Sequence, residues 1–246
     1  MSSPAEAGER RVLIVNADDF GRTPSVNDGI LRSHENGIVT STSLMVRWPA
    51  ARAAAAHARD HSKLSVGLHL DFGEWLKRNG HWSVVYTVVP LEEPLAVIAE
   101  ARRQLAEFRR LLGRDPTHLD THQHFHVHGG PPISGVLGEL ADEIGVPLRE
   151  QDPRIRFDGS FFGQEGDGTP VAGGISANRL LEVLDELPAG ITELGCHPGA
   201  GRDSWSIYDR ERVAEVEALC DPSVRAAIDE RGIELRSFAE LSAERA

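Results

Sequence analysis

The chain has 246 residues, 40% of them hydrophobic, and a net charge of −12 from 26 basic and 38 acidic side chains. That length makes one large domain the default, with two small ones possible, the composition excludes a disordered or collagen-like chain, and no apolar run approaches the roughly 20 residues needed to cross a bilayer. No Lys/Arg-rich tract offers nucleic acid the phosphate contacts that supply most of its affinity, and the acidic balance disfavours anionic membranes. Cys196 and Cys220 are too few for a disulfide scaffold and too far apart for a CxxC site, so two reduced thiols in a cytoplasmic protein are expected.

Met1 to Arg10 is small, polar and charged and lacks the apolar core of a signal peptide, so residues 1–10 read as a flexible leader and 11–246 as a single domain. Arg11–Ala17 (RVLIVNA) is a β-branched apolar run without alternation, the pattern of a strand buried on both faces of a parallel sheet. A short helix over Asn27–Asn36 closed by Gly37, a strand over Ile38–Val46, an alanine-rich helix over Pro49–Asp60 and a strand over Leu64–Phe72 follow. Gly73–Glu92 reads as a long loop with some strand character. Pro94–Leu112 has helical spacing of apolar residues and ends at Gly113. The pattern then predicts a strand over Thr117–Phe125, a helix over Ile133–Ile144 and a short strand over Val146–Arg149. Phe157–Ser176 holds six glycines and reads as a functional loop. A helix over Asn178–Leu187, a strand over Ile191–Cys196, helices over Glu211–Leu219 and Ser223–Arg231 and a last strand over Ile233–Arg236 complete the alternation. Strand–helix alternation from end to end predicts an α/β domain around a parallel sheet, long enough to close into a barrel.

Reactive side chains gather at the C-terminal ends of the predicted strands: Asp18 and Asp19 on the first, His69 and Asp71 on the third, Asp120, His122, His124 and His126 on or beyond the fourth, and His197 on a later one. Parallel α/β folds build their sites at that rim. Five of the eleven histidines fall between His118 and His128. On a strand, period two sends Asp120, His122 and His124 to one face. Imidazole and carboxylate are the usual ligands of divalent ions, although a His-rich surface tract would share the composition. Asp18 and Asp19 are adjacent, so one can ligate an ion while the other takes a proton from water; helix capping would explain only one of them. His197, before Pro198 and Gly199, suits a general acid or base. Trp48, Trp75, Trp82 and Trp205 sit in or near loops after strands, where an indole can stack on a sugar ring or simply pack. No GxGxxG, P-loop or GxSxG occurs.

Five motifs resemble those of the YdjC-like carbohydrate deacetylases, a family that includes chitooligosaccharide (chitin disaccharide) deacetylases and hopanoid-associated members. They are Val15–Gly21 (VNADDFG), Asn36–Thr42 (NGIVTST), Gly67–Leu70 (GLHL), Pro116–His126 (PTHLDTHQHFH) and Cys196–Pro198 (CHP), in family order. The resemblance implies a distorted, TIM-like (β/α) barrel and one divalent metal ion, magnesium or zinc, held by Asp19, His69 and His122. It implies Asp18 as the base and His197 as the acid in removing an acetyl group from an N-acetylated sugar. Gln123 interrupts the consecutive histidines frequent in this family. Candidates for substrate contact are His124, His126, Trp75 and Arg149, together with the glycine-rich loop. The partner implied is a small acetylated sugar, without nucleic acid or membrane span, and with a homodimer left open. Hydrolysis of another amide or of a phosphoester, and a non-catalytic sugar- or metal-binding module, are the alternatives.

Overall fold

The structure is a computed structural model that describes residues 10–78, 81–165, 169, 171–201, 203, 206 and 211–243. The expected leader lies outside these residues except for Arg10, whose guanidinium donates to both carboxylate oxygens of Glu234 at 2.7 and 2.6 Å. The opening apolar run is strand β1 (Arg11–Phe20), buried along nearly its whole length. It is followed by α1 (Pro24–Glu35), β2 (Ser41–Leu44), α2 (Ala51–Asp60) and β3 (Ser65–Leu70). A hairpin of β4 (Gly73–Arg78) and β5 (His81–Thr87) precedes α3 (Pro94–Leu112), β6 (Leu119–Thr121), the single turn α4 (Phe125–His128) and α5 (Pro131–Ile144). The remainder is β7 (Ile155–Asp158), α6 (Ala177–Asp185), β8 (Gly190–Cys196), α7 (Glu211–Leu219), α8 (Pro222–Glu230), β9 (Glu234–Leu235) and α9 (Phe238–Ala243).

Seven strands form one sheet in the order β6-β3-β2-β1-β8-β7, with β9 paired to the start of β1. Every pairing in it is parallel. A parallel bridge from Leu119 to Leu148 adds one more position beyond β6. The sheet curls into the expected distorted (β/α) barrel. Among the described residues no pairing joins β7 to the Leu148 segment. The core lies between the sheet and the helices: Val97, Ala101, Leu105 and Phe108 of α3 pack in one cluster with Val66, Leu68 and Leu70 of β3. Burial of the Val, Leu and Phe side chains among these stabilises the fold by about 1.5–3 kcal/mol each.

Several boundaries differ from the sequence reading, each for a local reason. Helix α1 begins three residues early because the Thr23 side chain accepts from the Val26 N–H and Pro24 suits the first helical turn. Gly73–Glu92 is mostly the antiparallel hairpin β4–β5. The strand expected over Thr117–Phe125 stops at Thr121, because Gln123 and His124 adopt left-handed backbone with φ of 52° and 51°. Val146–Arg149 contributes a single bridge beside β6, and β7, which runs into the stretch read as a loop from Phe157, is the strand that pairs with β8.

One close approach fixes the loop after β8. A Cβ on Gly29, in the buried face of α1, would lie 2.3 Å from the Cα of Gly199, two residues beyond His197. Gly29→Ala is therefore expected to destabilise the protein by about 1–3 kcal/mol, the cost of overpacking, and to shift the His197 loop. A thermal melt checks this, and an unchanged melting temperature would contradict the contact.

Candidate active site

The C-terminal ends of β1, β3 and β6 bring Asp19, His69 and His122 together. Asp19 has φ 70°, a left-handed conformation rare outside glycine, which turns its carboxylate across the rim. Its Oδ1 lies 3.2 Å from His122 Nδ1 and 3.5 Å from His69 Nε2. Its Oδ2 accepts from Arg212 Nη2 at 2.5 Å. Each imidazole is backed by a carboxylate. Asp120 Oδ1 is 2.7 Å from His69 Nδ1, and Glu74 Oε2 is 2.9 Å from His122 Nε2. These partners fix both rings with the opposite nitrogen facing Asp19, an arrangement typical of metal-ligating histidines.

Asp19 Oδ1 and His69 Nε2 are buried and have no hydrogen-bond partner. Buried polar atoms are otherwise almost always paired, because an unmet one loses its hydration without compensation. Ligands about 2.1 Å from an ion and about 100° apart lie about 3.2 Å from each other. The two distances from Asp19 Oδ1, 3.2 and 3.5 Å, are close to that spacing, all three atoms lie within 4.8 Å of one another, and their donor chemistry suits a divalent ion, so the three residues could hold one. The electrostatics point the same way. Burial disfavours a charged His122, yet Glu74 and Asp19 outweigh it and push its pKa up to about 10. Burial is likewise outweighed by Asp120 at His69, which is raised. At Asp19 burial opposes ionisation, but Arg212 and His122 hold the carboxyl well below its ordinary range. The pocket thus recruits positive charge.

Asp18 faces the other way, as expected for adjacent residues at a strand end. Arg149 donates to both its oxygens at 2.7 Å, and Asn16 Nδ2 and Ser43 Oγ donate to Oδ1 at 2.9 and 3.2 Å. Burial raises the Asp18 pKa, but the guanidinium overrides it and keeps the carboxylate ionised. His197 Nε2 lies 3.8 Å from Asp18 Oδ2. Burial pushes His197 down to about 3 against the pull of Asp18, so its ring is neutral at rest. The backbone N–H of His197 donates to Glu215 at 2.5 Å.

These groups open onto a cleft of about 600 Å³ whose wall includes Asp18, His122, His197, Trp75, Trp82 and Phe162. Gln123 clamps Trp75 by accepting from its N–H at 3.0 Å and donating to its carbonyl at 2.8 Å. The glycine-rich loop supplies Gly159 and Phe162, the latter's ring centroid 4.7 Å from that of His197. Trp48 is used elsewhere: it stacks under Arg22 at 4.4 Å and donates to Asp71. Trp205 lies outside the described residues.

The structure therefore brings together Asp18, Asp19, His69, His122 and His197, with Trp75 in the cleft wall. Three expectations change. His124 does not share the face of Asp120 and His122, because the chain leaves the strand at Thr121; it borders the cleft and meets Glu150 at 3.2 Å. His126 is fully buried, with Nδ1 2.7 Å from Thr121 Oγ1. Arg149, expected at a substrate oxygen, is buried beneath Asp18 and also binds Asp120 at 2.9 Å and Glu193 at 2.8 Å. Sequence reasoning missed Glu74 and Arg212, which come from distant segments without a local signal. Asp120 was visible in the period-two pattern, but as a neighbour of His122 and not as the support of His69.

A family model described as YdjC-like protein matches residues 12–230. The chain is 34% identical to a carbohydrate deacetylase of Geobacillus stearothermophilus, covering 94% of this chain and 98% of that one. It is 32% identical to a chitooligosaccharide deacetylase of Serratia marcescens, covering 94% and 99%. Among solved structures, one from Enterococcus faecalis superposes with a TM-score of 0.76 at 27% identity, covering 94% of this chain and 99% of that one. With the motif order, the barrel and these full-length similarities in agreement, the chain belongs to the YdjC-like family.

Proposed function

We propose that this protein is a divalent-metal-dependent carbohydrate N-deacetylase that hydrolyses the acetamide of a small N-acetylated sugar. The observation that carries the reading is the pair of unpartnered buried atoms, Asp19 Oδ1 and His69 Nε2, turned toward each other and toward His122 beside an ionised Asp18. Asp19, His69 and His122 would hold the ion, which when bound polarises the acetyl carbonyl and makes water more acidic. Asp18 accepts a proton from the attacking water; Arg149 keeps it ionised and fixes its orientation. The proton taken by Asp18 is the one the leaving amine needs. His197 Nε2, 3.8 Å from Asp18 Oδ2, is near enough to receive that proton and would deliver it to the nitrogen. Trp75 and Phe162 line the cleft and would offer apolar faces to the sugar ring. The carbohydrate deacetylase names of the Geobacillus and Serratia relatives support the substrate class.

Acetate release from N,N'-diacetylchitobiose by metal-reconstituted protein, measured beside His122→Ala, tests the reading. Metal-dependent release that the substitution abolishes is the expected result. No release together with no metal binding would overturn it. The carboxylate behind His122 supplies a second check. Glu74→Gln removes the charge that orients the ring and is expected to weaken metal affinity by about 10-fold, read by competition with a chelator.

A further inference from the structure

A second cluster of ligating atoms lies beyond the first. Glu150 Oε2 is 3.2 Å from His124 Nδ1 and 3.2 Å from His126 Nε2. His126 is 0% exposed, and its Nε2 has no hydrogen-bond partner: the approach of Glu150 is close but makes no hydrogen bond. The Thr121 hydroxyl engages the other ring nitrogen, Nδ1, at 2.7 Å and so fixes Nε2 toward Glu150. The two imidazoles are tilted by 37° with centroids 5.9 Å apart, converging on the carboxylate from two sides.

The backbone is distorted to make this arrangement. Among the described residues, four non-glycine positions have positive φ: Asp19, Gln123, His124 and Glu150. One is the carboxylate of the first site. Two of the others, His124 and Glu150, are themselves members of this cluster, and Gln123 adjoins it. Left-handed backbone at such residues persists only where the surroundings demand it, and it concentrates at functional sites.

We infer that His124, His126 and Glu150 form a second divalent-metal site, distinct from that of Asp19, His69 and His122. Two imidazole nitrogens and one carboxylate oxygen select a borderline ion of the zinc type; calcium and magnesium prefer all-oxygen sets. Glu150 is one-third exposed and gives the ion an entry path, while His124 borders the cleft. The three ligands leave at least one coordination position for water or for a donor atom of a bound molecule.

The test is zinc stoichiometry by equilibrium dialysis of the full chain, stripped of metal and exposed to zinc chloride. All proteins tested, the parent included, carry His61→Ala, which removes as a chelator the stacked pair of half-buried His57 on α2 and exposed His61 just beyond it. The parent is expected to hold two zinc ions. Glu150→Gln and, separately, His124→Asn, which tolerates the left-handed backbone, should each hold one. Asp19→Asn should also hold one, and the Asp19→Asn, Glu150→Gln double variant none. A parent that holds one ion, lost in Asp19→Asn and kept in Glu150→Gln, would overturn the second site and leave the first intact. A stoichiometry of two that survives both Glu150→Gln and His124→Asn would also overturn it. An ion lost in Glu150→Gln, with Asp19→Asn identical to the parent, would uphold this site while sinking the first.

Discussion

Asp18→Asn is expected to lower kcat for acetate release by about 10³-fold while leaving the metal content of the Asp19 site unchanged. The magnitude is that of a lost general base. Asparagine keeps the shape and can still accept from Arg149 through its carbonyl, but it cannot take a proton from water. The metal is expected to stay because Asp18 lies with Arg149, Asn16 and Ser43, whereas Asp19 Oδ1 faces His69 and His122. Steady-state kinetics beside metal analysis separate the two effects. Activity within 10-fold of the parent would remove Asp18 from the role proposed for it. Loss of metal together with activity would mean that the two aspartates do not divide their work.

The largest stability effect is expected at Arg149. Its guanidinium is fully buried and compensates Asp18, Asp120 and Glu193 at once. Arg149→Met leaves three buried carboxylates facing one another, and the loss of one partner of a buried ion pair costs about 3–5 kcal/mol. The pH dependence follows from the same geometry. Even with the guanidinium present, burial raises Glu193 to about 7, while Asp18 is held low by Arg149 against its own burial. Without Arg149 burial prevails at all three, so their folded-state pKa values rise above the unfolded values of about 4. Groups raised in this way destabilise the fold increasingly as pH climbs above the unfolded pKa and cease to do so below it. The wild type moves oppositely at Asp18, whose lowered pKa contributes stability above about pH 4 that is lost on acidification. The gap between wild type and Arg149→Met should therefore be widest near neutral pH and narrow toward pH 5. Urea unfolding at both values measures it, and a pH-independent gap would contradict this account.

Much of the site was legible because a parallel sheet sends every strand's C-terminal end to one rim. Once the buried strands were identified, Asp18, Asp19, His69, Asp71, Asp120, His122 and His197 could all be assigned to one rim without long-range register or rotamers, whereas singling out Asp19, His69 and His122 as the ligand set took the family resemblance. What was not legible depended on backbone conformations with no strong local signature. Gln123 and His124 are not residues that announce a left-handed turn, so the strand from Thr117 was carried too far and His124 was assigned to the wrong face. Val146–Arg149 is apolar enough for a strand, yet it makes a single bridge, Leu148 opposite Leu119, through the Pro147 carbonyl and the Arg149 N–H. Ile155–Asp158, with two charged residues in four, takes the position beside β8. Arg149 was read as a substrate contact because sequence does not show that three acids from β1, β6 and β8 converge on it. Glu74 was hidden for a similar reason: it lies in a segment read as loop, and its partner His122 is 48 residues away.

The hairpin between β3 and α3 divides its labour along its two strands. β4 carries Glu74 against His122 and the backbone of Trp75 against Gln123, whereas β5 is almost wholly exposed and presents Trp82, half in solvent, to the mouth of the cleft. One strand of this small unit thus supports the candidate site from within, and the facing strand is solvent-exposed beside the cleft. Residues of β5 can be exchanged without disturbing an imidazole, while those at the start of β4 cannot. Under the function proposed above, the outer strand is where a designer seeking altered specificity should begin.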